Sequence, residues 1–153
     1  MSEASAVSEG SGLTLITEGE WAGWSRWIGD PFEERTGPFY DKELEDGSFV
    51  SAFRAEERHM NGAGFMHGGC LMTFADSAIF TIARKAMGDG RGVTLHLTGD
   101  FLDPARVGQL IEARGEVVRA GGKTVFVQGI VTADGQPVLR FDGIIRKVSG
   151  TRA

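Results

Sequence analysis

Apolar residues recur along this chain in two rhythms. Between positions 68 and 87, Leu71, Phe74, Ala75, Ala78, Ile79, Ile82 and Ala86 fall on a helical period and form one broad apolar stripe. The spacing predicts a helix over 68–87, stopped by Gly88-Asp89-Gly90. Gly69, Ala75, Ala78 and Ala83 keep parts of that helix thin, and so apolar a helix is expected to be wrapped by the rest of the chain. Downstream the period becomes two. Over 93–102, Leu95, Leu97 and Phe101 alternate with Thr94, His96, Thr98 and Asp100; over 109–119, Ile111, Ala113 and Val117 alternate with Leu110, Glu112, Arg114 and Glu116. Gly121-Gly122 leads into a third run over 123–132, and Asp134-Gly135 turns into a fourth over 137–148. Short links between such runs predict neighbouring antiparallel strands in a meander.

Upstream of the helix, the runs 38–44 and 48–54 flank Asp46-Gly47, a pair suited to the positive φ angles of a tight hairpin turn. Further back, Trp21, Trp24 and Ile28 are spaced i, i+3, i+7, with Trp27 beside them. That spacing predicts a short helix capping one end of the core, ended by Gly29 and Pro31. The pattern is α+β, with five to six antiparallel strands and one long central helix. Residues 1–12 are small and polar and read as a disordered tail, leaving 13–153 as a single domain with an N-terminal helical cap.

Composition narrows the function classes. A net charge of −5 and a pI near 5.2 exclude the basic excess of a nucleic-acid-binding surface. The single Cys70 excludes an intramolecular disulfide and a cysteine-based metal site, and three scattered histidines make no ligand cluster. No metal or cofactor is expected. The apolar run at 68–83 is too short to span a bilayer and contains Asp76, so no membrane partner is expected and a cytoplasmic location fits.

The chemistry gathers at the start of the long helix. Asn61-Gly62-Ala63-Gly64-Phe65-Met66-His67-Gly68-Gly69 is a Gly-rich loop entering an apolar helix whose only charge between 68 and 83 is Asp76. Free N–H groups at a helix N-terminus attract a polarised oxygen, and glycine lets it approach. A carboxylate on so apolar a helix is costly unless something pairs with it or uses it. Donors plus a lone acid are what acyl transfer to water requires. Gly68 and Asp76 lie about 12 Å apart along one helix axis, too far for one thioester carbonyl to touch both. Two antiparallel helices across a two-fold axis would bring Gly68 of one subunit to Asp76 of the other, giving two sites per homodimer.

The run Asn61-x5-His67-Gly68-Gly69-x6-Asp76, with Gly92-Val93-Thr94 and Phe101-Leu102-Asp103-Pro104-Ala105-x-x-Gly108, resembles the hotdog-fold acyl-CoA thioesterases of the phenylacetate-degradation and 4-hydroxybenzoyl-CoA type. The resemblance covers roughly 36–148. It implies a curved antiparallel sheet around a long helix, an acyl-CoA substrate, and a homodimer that pairs into a homotetramer. It also implies roles. The Gly68 N–H polarises the thioester carbonyl, and Asp76 is general base or nucleophile. Asn61 positions water or thioester, Thr94 assists the acid, and His67 has a structural or carbonyl-assisting part. His96, expected on the same face as Thr94, stands where an acid or amide is more typical.

Gly69, Arg106 and Lys123 are candidate substrate contacts, and Arg119 and Arg146 are further cations that could meet the coenzyme A phosphates. Simpler uses compete with each assignment. Asn61 can adopt a left-handed turn, His67 can serve the helix start, and His59 and His96 can be plain surface or sheet residues. Cys70 reads as buried packing. Two other functions compete with hydrolysis: a non-catalytic acyl-CoA-binding module, and a hotdog dehydratase or hydratase.

Overall fold

The computed structural model describes residues 12–149, so the tail expected at 1–12 lies, apart from Gly12, outside the described residues. The elements are β1 (Leu13–Leu15), β2 (Ser25–Trp27), α1 (Pro31–Thr36), β3 (Tyr40–Glu43), β4 (Phe49–Arg54), α2 (Gly68–Ile82), α3 (Arg84–Met87), β5 (Arg91–Phe101), β6 (Leu110–Ala120), β7 (Thr124–Ala133) and β8 (Gln136–Val148). They form one antiparallel sheet in the order β1-β2-β3-β4-β6-β7-β8-β5, with α2 packed on its inner face. This is the sheet-around-helix architecture that the sequence predicts, and it is the hotdog fold.

Local chemistry accounts for the hairpins. Asp46 accepts the Ser48 N–H at 2.9 Å and Gly47 adopts φ +82, so β3 turns directly into β4. Asp134 and Gly135 both have positive φ, the signature of the turn whose twist matches flanking strands, and they join β7 to β8. Inner-face residues of the sheet meet the helix in a closed core in which Phe53, Phe74, Phe141, Ile79, Ile111, Leu139 and Ile145 are almost wholly buried. Phe39, Phe53 and Phe74 meet edge-on or tilted with ring centroids 4.8–5.1 Å apart. Gly99 and Gly143 let the sheet approach the helix: a Cβ at Gly99 would lie 2.7 Å from Met72 Sδ, and one at Gly143 would lie 3.0 Å from Ile79.

Five expectations are corrected. The Trp segment is a β-hairpin, not a helix: Gly19 and Gly23 take positive φ, Trp24 N–H closes a turn on the Trp21 carbonyl, and Leu13–Leu15 pairs with Ser25–Trp27. Trp21 then stacks on Tyr40 at 4.3 Å instead of lining a helix stripe, and the added hairpin brings the sheet to eight strands. β5 does not pair with its sequence neighbour β6. It lies at the sheet edge against β8, and only β6-β7-β8 form a meander. The long helix breaks at Ala83, continuing as α3. Finally, α2 is not wrapped all round. Met72, Thr73, Asp76, Ser77 and Phe80 form a face that stays partly exposed among the described residues.

The fifth correction concerns His96. Thr94 pairs with Ile145 and His96 with Ile144, because a bulge at Leu95 shifts the register. The extra residue turns His96 to the outer face, near Asp142, while Thr94 stays on the helix side.

Candidate active site

The loop before α2 is built by its own polar groups. Asn61 Oδ1 accepts the N–H groups of Ala63 and Phe65 at 2.9 and 3.1 Å, and Asn61 N–H donates to the Phe65 carbonyl. Asn61 thus organises the loop by an Asx turn with ordinary φ, not by the left-handed turn that was its simpler alternative use. His59 is also not a surface residue. It is 4% exposed, its Nε2 lies 2.7 Å from the Thr36 carbonyl oxygen, and its Nδ1 accepts the Glu56 N–H. These contacts fix the tautomer with the proton on Nε2, and burial pushes the His59 pKa down.

At the helix start, His67 is the N-cap. Its Nδ1 accepts the Gly69 N–H at 2.9 Å, and its carbonyl accepts the N–H groups of Cys70 and Leu71. The Gly69 amide, a candidate substrate contact, is therefore already occupied. Among the described residues, only the Gly68 N–H of the first turn has no partner. That amide borders a cavity of about 340 Å³ lined by Phe65, Leu71, Phe101, Leu102 and Pro104 among others. The Phe101 ring covers Gly68 closely, for a Cβ added there would lie 3.1 Å from it. Phe101 and Phe65 were not singled out by the sequence reading as site residues. The alternation of β5 marked Phe101 as inward-facing, but only the reversal of the chain after α3 places it over Gly68.

Two turns along α2, the Asp76 carboxylate accepts the Thr94 hydroxyl, Oγ1 to Oδ1 2.5 Å. β5 runs back along α2, so Thr94 faces Asp76, Gly99 faces Met72 and Phe101 faces Gly68. Within one chain the structure therefore joins Asp76 to Thr94, and joins Asn61, His67 and Gly68 at the helix start, as two separate groups.

The candidate cations divide as well. The Arg106 guanidinium stacks on Phe65, 4.5 Å from the ring centroid, beside the cavity at Gly68. Lys123 instead lines a second cavity of about 550 Å³ with Arg146 and Lys147, at the opposite end of β8. Cys70 is buried, and desolvation pushes its thiol up to about 11, so it stays protonated at neutral pH and offers no thiolate nucleophile. No group of three or more His, Cys, Asp or Glu among the described residues could hold a metal, and no helix there is long and apolar enough to cross a membrane.

Comparison with known proteins decides the family. The family model for the thioesterase superfamily matches residues 63–139, which span the helix-start loop, α2 and the strands through β7 into β8. The chain belongs to the thioesterase superfamily. It is a thioester hydrolase. Among relatives of this thioesterase, mouse acyl-coenzyme A thioesterase 13 is 31% identical over 98 residues, covering 58% of this chain and 69% of that protein. The phenylacetic acid degradation protein PaaI from Thermus thermophilus, solved as a mutant, is 31% identical with a TM-score of 0.66, covering 78% of this chain and 100% of that one. A Bacillus halodurans protein solved with CoA is 25% identical with a TM-score of 0.66, over 72% of this chain and 74% of its own.

Proposed function

We propose that this thioesterase hydrolyses an acyl- or aryl-coenzyme A to the free acid and coenzyme A, in a site shared between two copies of the chain. The observation that carries the reading is the single free first-turn amide at Gly68, opening on an apolar cavity. Such a donor, backed by the helix dipole, stabilises the negative charge that develops on a thioester carbonyl oxygen. Names among the relatives support the substrate class, since one is an acyl-coenzyme A thioesterase and another was solved with CoA.

Asp76 supplies the other half. Held by Thr94, it takes the proton of an attacking water, or attacks the carbonyl carbon itself, breaking the C–S bond and expelling the thiolate, to give an anhydride that water then opens with its proton passing to the thiolate. In the first route the water oxygen bonds to the carbonyl carbon, the C–S bond breaks, and the proton held by Asp76 passes to the departing thiolate. Neither route needs a metal or cofactor group.

The two halves lie too far apart on one helix, so the reading requires a homodimer. The open face of α2, with Asp76 at its centre, supports it. So does β5, an edge strand of 11 residues with Val93, Leu95 and Phe101 about half exposed. Asn61 shapes the loop that holds His67 and Gly68, and Arg106 stands at the cavity rim where a phosphate or carboxylate can reach it.

The test is thiol release from a panel of alkyl- and aryl-CoA thioesters. Wild-type protein should release coenzyme A from at least one member, and Asp76→Asn should lower kcat by about a hundredfold or more with an unchanged melting curve. Near-normal turnover by Asp76→Asn would remove that residue from the reaction.

A further inference from the structure

Three polar contacts tie the N-terminal hairpin to the loop that carries Arg106. That loop, residues 102–109, joins β5 to β6 and borders the cavity at Gly68 through Leu102, Asp103, Pro104 and Ala105. Backbone bonds hold it at several points. Leu102 N–H donates to the Val138 carbonyl, Met66 N–H to that of Ala105, and Gly108 N–H to that of Ala55. Arg54, the last residue of β4, adds a side-chain brace: its Nη1 donates to the Gly108 carbonyl at 3.0 Å, where the chain turns through φ +88. Its Nε and Nη2 both donate to one carboxylate oxygen of Glu20, from Nε at 3.0 Å. Glu20 sits in the turn of the N-terminal hairpin, next to Trp21, whose ring stacks on Tyr40.

We propose that Arg54 is a positioning residue for substrate binding: held by Glu20, it fixes the 102–109 loop and with it Arg106, which meets a phosphate of coenzyme A at the cavity rim. This rests on the readings of Arg106 and of a coenzyme A thioester given above. Glu20 and Arg54 both precede the residues that match the family.

Three features favour positioning over a merely stabilising ion pair. The Arg54 and Glu20 side chains are 41% and 48% exposed, and pairs so exposed contribute little to stability. The planar guanidinium, with two donors on Glu20 and a third on the Gly108 carbonyl, fixes direction as well as distance. Arg106 itself is placed but not neutralised. Its N–H donates to Gln109 Oε1 at 2.7 Å and its guanidinium rests on the Phe65 ring, while among the described residues it forms no salt bridge. A loop left loose must be ordered when substrate binds, which weakens binding without touching the reacting atoms.

The experiment measures kcat and KM for full chains of wild type, Arg54→Ala, Glu20→Ala, Arg106→Ala and the Arg54→Ala/Arg106→Ala double variant. Each is given the acyl-CoA that wild type hydrolyses fastest, and the N-acetylcysteamine thioester of the same acid, which carries no phosphate. Arg54→Ala should raise KM for the CoA thioester by about fivefold with kcat within about twofold, and leave KM for the phosphate-free thioester unchanged. In the Arg106→Ala chain it should add no further rise, because it acts through Arg106; full additivity overturns the proposal. Glu20→Ala separates position from charge by its sign. Removing a negative charge near a bound phosphate would by charge alone lower KM, whereas loss of the brace should raise it by about twofold. If Arg54→Ala melts early, Glu20→Ala carries the test, and a KM equal to or below wild type then overturns the proposal. An equal rise on both thioesters, or an Arg106→Ala chain with wild-type KM, overturns it and leaves thioester hydrolysis standing. A wild-type chain inert toward every thioester overturns both.

Discussion

In the proposed mechanism Gly68 acts through what it lacks. It carries no side chain to keep a carbonyl from its amide, and that amide has no competing acceptor because His67 takes the neighbouring ones. Adding a branched side chain should close the approach. Gly68→Val is expected to lower kcat/KM by about a hundredfold or more while shifting the melting temperature only modestly, since the Phe101 ring must give way. Thiol-release kinetics beside a melting curve check it. At this scale the sequence told a good deal. A lone acid on an apolar helix and a Gly-rich helix start are visible because charge and glycine are costly where they stand. What was hidden is how the amides are shared out. That His67 would accept from Gly69, and Asn61 from Ala63 and Phe65, depends on side-chain rotamers that no spacing fixes.

Among the elements, the loop between β4 and α2 is held by a neutral, buried histidine. The His59 pKa is pushed down by burial, so its contribution to stability is full above the unfolded value of about 6.5 and is lost as pH falls below it toward the folded value. The wild-type melting temperature should therefore fall on acidification below about pH 6.5, and the slope should flatten in His59→Gln. Glu33 and Asp41 act with the opposite sign. Burial raises both, so each favours the fold more as pH falls into its titration range, and both are present in the two proteins compared. A steeper slope in the variant would contradict the role given to His59. Elements made by one uninterrupted period were legible, α2 above all. Elements set by partners were not: the spacing of Trp21, Trp24 and Ile28 mimics a helix, but Gly19 and Gly23 turn the chain back and β3 offers an edge to extend. Likewise the bulge at Leu95, which sends Thr94 and His96 to opposite faces, arises from register against β8 and leaves no mark in the alternation.

The whole molecule is the scale at which the two halves of the proposed chemistry would meet. β5 sits at the sheet edge, so among the described residues that edge has no strand partner beside it and the adjoining face of α2 is partly exposed. The strand order follows from long-range pairing, which is why a meander was the natural expectation from short links, and why β5 was placed beside the wrong neighbour. The proposal of a second copy, in contrast, follows from helix geometry, through the rise between Gly68 and Asp76, once both are assigned to one reaction. Complementation tests the shared site most directly. Gly68→Val and Asp76→Asn chains, each nearly inactive, are mixed, unfolded and refolded together at equal amounts. If each site takes Gly68 from one chain and Asp76 from the other, every mixed dimer holds one intact site, and activity should return to about a quarter of the wild-type value. If both groups act within one chain, the mixture holds no intact site, and activity that stays at the level of the separate variants would contradict the shared site.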